Sequence, residues 1–158
     1  MFDGIKQYIG SIIVIAAAYY FLDTRGSYGL IDNLDLIIHE AGHFFFSPFG
    51  TFINALGGTL MQVIIPLIFL LYFFKNGSKF GMQVSLVFLG QNFINISVYA
   101  ADASVRRLPL LGNGKHDWHY ILSELNILEY DAEAGYFFVG LAVLSFFSAF
   151  LIPFLLRK

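Results

Sequence analysis

His39 and His43 stand four residues apart with Glu40 beside the first, in the run Leu36-Ile37-Ile38-His39-Glu40-Ala41-Gly42-His43-Phe44-Phe45-Phe46. On a helix this H-E-x-x-H spacing projects both imidazoles from one face, close enough to reach a single metal ion. Glu40 lies one residue round the turn, where it can act on a metal-bound water without being a ligand. Between Asp35 and Lys75 it is the only charged side chain. A carboxylate in an apolar span is costly to bury, so its presence marks a functional site or a specific partner.

Zinc in a hydrolase takes three protein ligands and keeps a position open for water. The motif supplies two. The chain has no cysteine, so the third must be His, Asp, Glu or Asn. Asp102 is the leading candidate, because Gln91, Asn95 and Asp102 fall at spacings of four and seven and share one helical face. In a His₂-carboxylate site zinc lowers the pKa of its water toward about 7. Glu40 then serves as general base and returns the proton to a leaving amine, while Asn92 or Asn95 orients a substrate carbonyl or stabilises the oxyanion. A rival arrangement exists. The four histidines form two clusters, His39/His43 and His116/His119, and Gly112-Asn113-Gly114 would let the second fold back over the first. His116, Asp117 or His119 would then complete the coordination or support a ligand from behind.

Each residue also has a plainer reading. Asp102 could be a helix-end residue paired with Arg106, and Asn92 and Asn95 could be interhelical hydrogen bonders. The His116–His119 stretch could be a wet loop with a capping Asp, and Gly57-Gly58 a close contact or turn.

The elements that must position these groups are those of a membrane protein. Of 158 residues, 58% are hydrophobic and 13% charged, against roughly 45–50% and about 25% in soluble domains. The net charge of −2 and the lack of a Lys/Arg-rich block argue against a nucleic-acid partner. A bilayer core of about 30 Å needs roughly 20 apolar residues as helix. The expected fold is all-α, a polytopic transmembrane bundle of about five spans forming one domain over residues 1–158. The spans are Ile5–Leu22, the motif helix from about Asn33 to Ser47, Leu60–Phe74, Phe80–Ala101 and Ala134–Leu156. The first lacks an A-x-A-like site before Asp23 and reads as a span rather than a signal peptide. Pro48–Thr59, apolar but punctuated by Pro48, Gly50, Gly57 and Gly58, is expected to be a re-entrant or interfacial segment packed on the motif helix. Trp118–Leu128 has helical apolar spacing and is expected to lie along the interface.

His39-Glu40-Ala41-Gly42-His43 in a membrane helix, with Asp102 two spans later, resembles the site-2 protease class of intramembrane zinc metalloproteases. The resemblance implies zinc ligation by His39, His43 and Asp102, general-base catalysis by Glu40, and Asn95 as a loose match to the Asn of that class's Asn–Pro–Asp-Gly pattern. No Pro follows Asn95 at the class spacing, and Ala103 stands where the class has Gly. The chain also resembles a small group of prokaryotic membrane proteins related to that class, through Ser47-Pro48-Phe49-Gly50, Leu56-Gly57-Gly58, Ala101-Asp102-Ala103, Leu108-Pro109-Leu110 and His116-Asp117-Trp118. These likenesses imply a Zn²⁺-dependent intramembrane protease in a prokaryotic inner membrane, cutting a membrane-protein or peptide substrate. The competing expectation is a non-catalytic metal-binding membrane protein, either a pseudoprotease or a metal transporter.

Overall fold

Long apolar runs dictate helices here, because backbone groups removed from water must be satisfied within the chain. The computed structural model describes residues 2–109 and 115–156, with side chains from Tyr8 onward. Among the described residues all regular structure is helical: α1 (Phe2–Asp23), α2 (Leu30–Phe46), α3 (Thr51–Lys75), α4 (Lys79–Ala101), α5 (Asp117–Glu124) and α6 (Asp131–Leu155). Short 3₁₀ turns at Ser47–Phe49 and Leu128–Tyr130 precede α3 and α6. Three helical stretches are long and apolar enough to cross a bilayer: Thr51–Lys75, Lys79–Ala101 and Leu128–Leu155. The described side chains of α1 form a shorter apolar helix, Tyr8–Asp23.

Helix α4 is the centre of the bundle, and most of its residues are buried. Its polar groups fix the direction of each neighbour. Gln83 reaches Ser11 on α1 (3.3 Å) and the Ala149 carbonyl on α6 (3.0 Å). At the other end of α4, Arg25 Nε, just past α1, donates to Ser97 Oγ at 2.9 Å. Helices α1 and α4 therefore run the same way. Helix α6 runs the other way, since Gly90 faces Phe146 and Gly135 faces the Ser97 carbonyl and Ala101. Helix α3 is also antiparallel to α4, with Gln62 bonded to Asn95 and Phe73 packed on Gly81.

These directions decide the course of α2. It follows α1 at the C-terminal end of α4, where Asp32 accepts from Asn95 Nδ2 at 2.8 Å. It finishes against the first turns of α3, which begin at that same end, with His43 bonded to the Asn54 carbonyl. The motif helix thus meets the end of α4 through Asp32 and the start of α3 through His43. Of the five expected spans, three fall on helices long and apolar enough to cross a bilayer, and the described part of α1 is a shorter apolar helix.

The expected irregular segment Pro48–Thr59 is irregular only as far as Gly50, whose φ is +90°. From Thr51 the chain is helical straight through Gly57-Gly58. Interior glycine costs about 1 kcal/mol of helix propensity, and close packing offsets that cost. A Cβ on Gly42 would sit 2.2 Å from the Gly57 carbonyl oxygen, so α2 and α3 can cross this closely only where neither carries a side chain. The expected helical stretch Trp118–Leu128 is helical only as α5, Asp117–Glu124, with Trp118, Ile121 and Leu122 buried. The Gly112-Asn113-Gly114 hinge and the closing Arg157-Lys158 lie outside the described residues.

Candidate metal centre

Two histidines four apart on α2 do share a face, with ring centroids 4.7 Å apart. His39 is buried because its ring lies flat on α3, where a Cβ on Gly58 would come within 2.3 Å of it. Its Nδ1 faces Gln62 Oε1 at 3.0 Å. His43 Nδ1 faces the Asn54 backbone carbonyl at 2.7 Å, and Asn54 Nδ2 donates back to the His43 carbonyl at 2.7 Å. A carbonyl only accepts, so both Nδ1 atoms carry hydrogen, and each Nε2 presents a lone pair when its ring is neutral.

Both Nε2 atoms point at the same oxygen. Asp117 Oδ2 lies 3.1 Å from His39 Nε2 and 3.1 Å from His43 Nε2. All three ligand atoms lie within 4.8 Å of one another. Three acceptors this close repel unless a positive charge stands among them. That charge is supplied either by two imidazolium protons or by a metal cation. The donor set fits zinc: two neutral imidazole nitrogens held from behind by carbonyls, and one carboxylate oxygen, leaving a fourth position open. Burial pushes the Asp117 carboxyl up, but its bonds to His39 and His43 outweigh that and hold it well below the usual carboxylate range. Asp117 is therefore ionised, as a ligand must be.

Tyr99, in the last turn of α4, sets the position of Asp117. Its hydroxyl accepts from the Asp117 N–H at 3.0 Å and donates to Oδ2 at 3.1 Å. Its ring packs on His116, with centroids 4.3 Å apart. His116 caps α5 by accepting the His119 N–H on Nδ1 at 3.2 Å. His119 in turn bonds the Ala103 carbonyl at 2.9 Å. Helix α5 is thereby clamped against the end of α4 with its first residue, Asp117, aimed at α2.

Asp102 and His116, the two candidates weighed most heavily for the third ligand, are placed beside each other and apart from His39 and His43. Asp102 accepts the backbone N–H groups of Arg107 (2.9 Å) and Leu108 (3.0 Å) and thus closes the turn after α4. His116 Nε2 is 3.4 Å from Asp102 Oδ2 and has no hydrogen-bond partner among the described residues. Burial pushes the His116 imidazole down against the opposing pull of Asp102. Asn95 also sits behind the histidines: it accepts from Gln62 Nε2 at 3.0 Å and donates to Asp32. Asn92 is fully buried and donates to its own helix at Phe88.

Glu40 is exposed on α2, at the edge between the histidine face and the outer face carrying Ile37 and Phe44. No hydrogen bond ties it down among the described residues. Side-chain exposure rises from 9% at His39 to 21% at His43.

Gln62, Asn54 and Tyr99 were not legible as site residues. Gln62 left one signal: it is the lone amide in the apolar span Leu60–Phe74, where a polar side chain should have a partner. Comparison with protein-family models, with curated proteins and with solved structures finds no match to this chain.

Proposed function

We propose that the chain is a membrane-embedded, zinc-dependent hydrolase whose metal is held by His39, His43 and Asp117. One observation carries the reading: two imidazoles with Nδ1 committed to carbonyls converge their Nε2 atoms on a single carboxylate oxygen. Zinc bound there would make a hydrolytic water available near neutral pH. Glu40, free and adjacent, is the base that takes the water's proton and carries it to the leaving group. Tyr99 holds Asp117, and the buried side of His39 keeps bulk water from that flank.

The substrate class follows from the surroundings. The exposed edge beside Glu40 is flanked by Ile37 at 67% and Phe44 at 86% exposure, which suits an apolar chain presented from the bilayer. The resemblance of His39-Glu40-Ala41-Gly42-His43 to site-2 proteases makes a membrane-protein or peptide segment the best choice, and a prokaryotic inner membrane the setting. A transmembrane substrate must unwind locally before its carbonyl can be attacked. The site lies within the last turns of α4, so the bond cut lies toward that end of the bundle.

Glu40→Gln tests this in purified protein reconstituted with a membrane-protein substrate. The variant should keep stoichiometric zinc and lose cleavage. Cleavage at the wild-type rate would overturn the base assignment. Zinc binding by a wild-type protein that cuts no peptide or membrane segment would assign the non-catalytic reading instead.

A further inference from the structure

The two candidate ligands are oriented by different devices. His43 faces a backbone carbonyl, whose polarity cannot change. His39 faces a side-chain amide, and an amide can present either oxygen or NH₂. If Gln62 were turned over, its Nε2 would donate to His39 Nδ1, the ring would carry its hydrogen on Nε2, and the lone pair facing Asp117 would be lost.

What fixes Gln62 lies three hydrogen bonds from the site. Gln62 Nε2 donates to Asn95 Oδ1 at 3.0 Å, Asn95 Nδ2 donates to Asp32 Oδ1 at 2.8 Å, and Asp32 Oδ2 accepts the Gly29 N–H at 2.7 Å. Turning Gln62 over requires turning Asn95 over as well. Asn95 would then set its carbonyl oxygen against a carboxylate oxygen at hydrogen-bond distance, two acceptors with no proton between them. We propose that Asp32, acting through Asn95 and Gln62, is a positioning residue that locks His39 in the Nδ1–H tautomer and so makes its Nε2 a metal ligand. The relay runs through a largely buried path, with Gln62 only 2% exposed, so water cannot easily substitute for a lost member. The inference deepens the proposed metal-dependent reading, but the tautomer itself is a property of the metal-free protein.

Asp32→Asn is the decisive variant because it changes one atom and almost no shape. The new amide keeps its oxygen on the Gly29 N–H and turns its NH₂ toward Asn95. Each amide then reverses in turn, and His39 becomes the Nε2–H tautomer. The measurement is ¹⁵N NMR of histidine-labelled, metal-free full-length protein above the imidazole titration range, together with zinc titration of the same samples. Wild type should show Nδ1–H at both His39 and His43. In Asp32→Asn, His39 should switch while His43, held by the Asn54 carbonyl, stays unchanged as an internal control. Zinc affinity should fall by roughly 10–100-fold, the range for residues that orient a ligand from behind. Asp35→Asn removes a carboxylate one turn along α2 that bonds Gln91 instead, and it should leave the His39 tautomer alone. Asn95→Leu breaks the relay outright, should give a mixture of tautomers, and carries the test if Asp32→Asn does not fold.

His39 remaining Nδ1–H in folded Asp32→Asn or Asn95→Leu would overturn the proposal. So would wild-type zinc affinity in either variant. A wild-type protein that holds the Nδ1–H form yet binds no zinc would instead overturn the metal reading of the site.

Discussion

Asp117 and Asp102 are both aspartates at a helix boundary beside a histidine, and the structure puts them to opposite uses. Asp102 is surrounded by donors. The Arg107 and Leu108 N–H groups bond its two oxygens, and the carboxylate is satisfied as it stands. The Asp117 carboxylate accepts from the Tyr99 hydroxyl, and its other neighbours are the Nε2 atoms of His39 and His43. The first carboxylate completes a turn; the second belongs to a His39-His43-Asp117 group that could hold a metal ion. Residue type and neighbouring sequence do not separate them. What separates them is their surroundings: backbone N–H groups at Asp102, two imidazoles at Asp117.

Exchanging the fates of the two residues is the strongest way to break this comparison. Asp117→Ala should reduce zinc affinity by more than the roughly 10–100-fold expected of a supporting residue, whereas Asp102→Ala should leave stoichiometric zinc in the folded protein. Metal analysis with competitive chelator titration would read both, and metal loss in Asp102→Ala alone would reverse the assignment. The next effect is that of pH. Binding must displace the imidazole protons of His39 and His43, so zinc affinity should fall steadily as pH drops through the imidazole range. Asp117, already held low by those histidines, should add no further step there. Zinc titrations across that range would detect one.

Smaller effects sharpen the geometry. Gly58→Ala places a methyl against the His39 ring and should destabilise the fold by about 1–3 kcal/mol, the usual range for overpacking, with zinc affinity lowered alongside. Denaturant unfolding in detergent would measure it, and a neutral result would show that His39 has room to move. Asp102→Ala removes two backbone hydrogen bonds at a partly exposed turn. At about 0.5–1.5 kcal/mol each, its stability cost should be similar to or below that of Gly58→Ala.

Parts of this were readable from residues alone. His39, Glu40 and His43 carry their geometry in their spacing, because a helix fixes the angle between residues four apart. The apolar composition required helices, and the sparse charges made Glu40 stand out. Asp117 was one of three residues in the second histidine cluster, and no periodicity favoured it over its neighbours. Asp102 looked the better ligand because it prolongs the polar stripe of Gln91 and Asn95. That stripe is real, but its members serve Asp35, Gln62 and Asp32.

The sequence by itself determined a helical, membrane-compatible chain with a paired-histidine motif and an acid beside it, since those features depend only on local geometry and hydropathy. The tertiary structure alone decided which carboxylate meets the histidines and that glycines at 42, 57 and 58 let α2 press on α3. These outcomes depend on how helices far apart in the chain cross one another. A crossing is set by the fit of whole surfaces, which no single stretch of residues encodes.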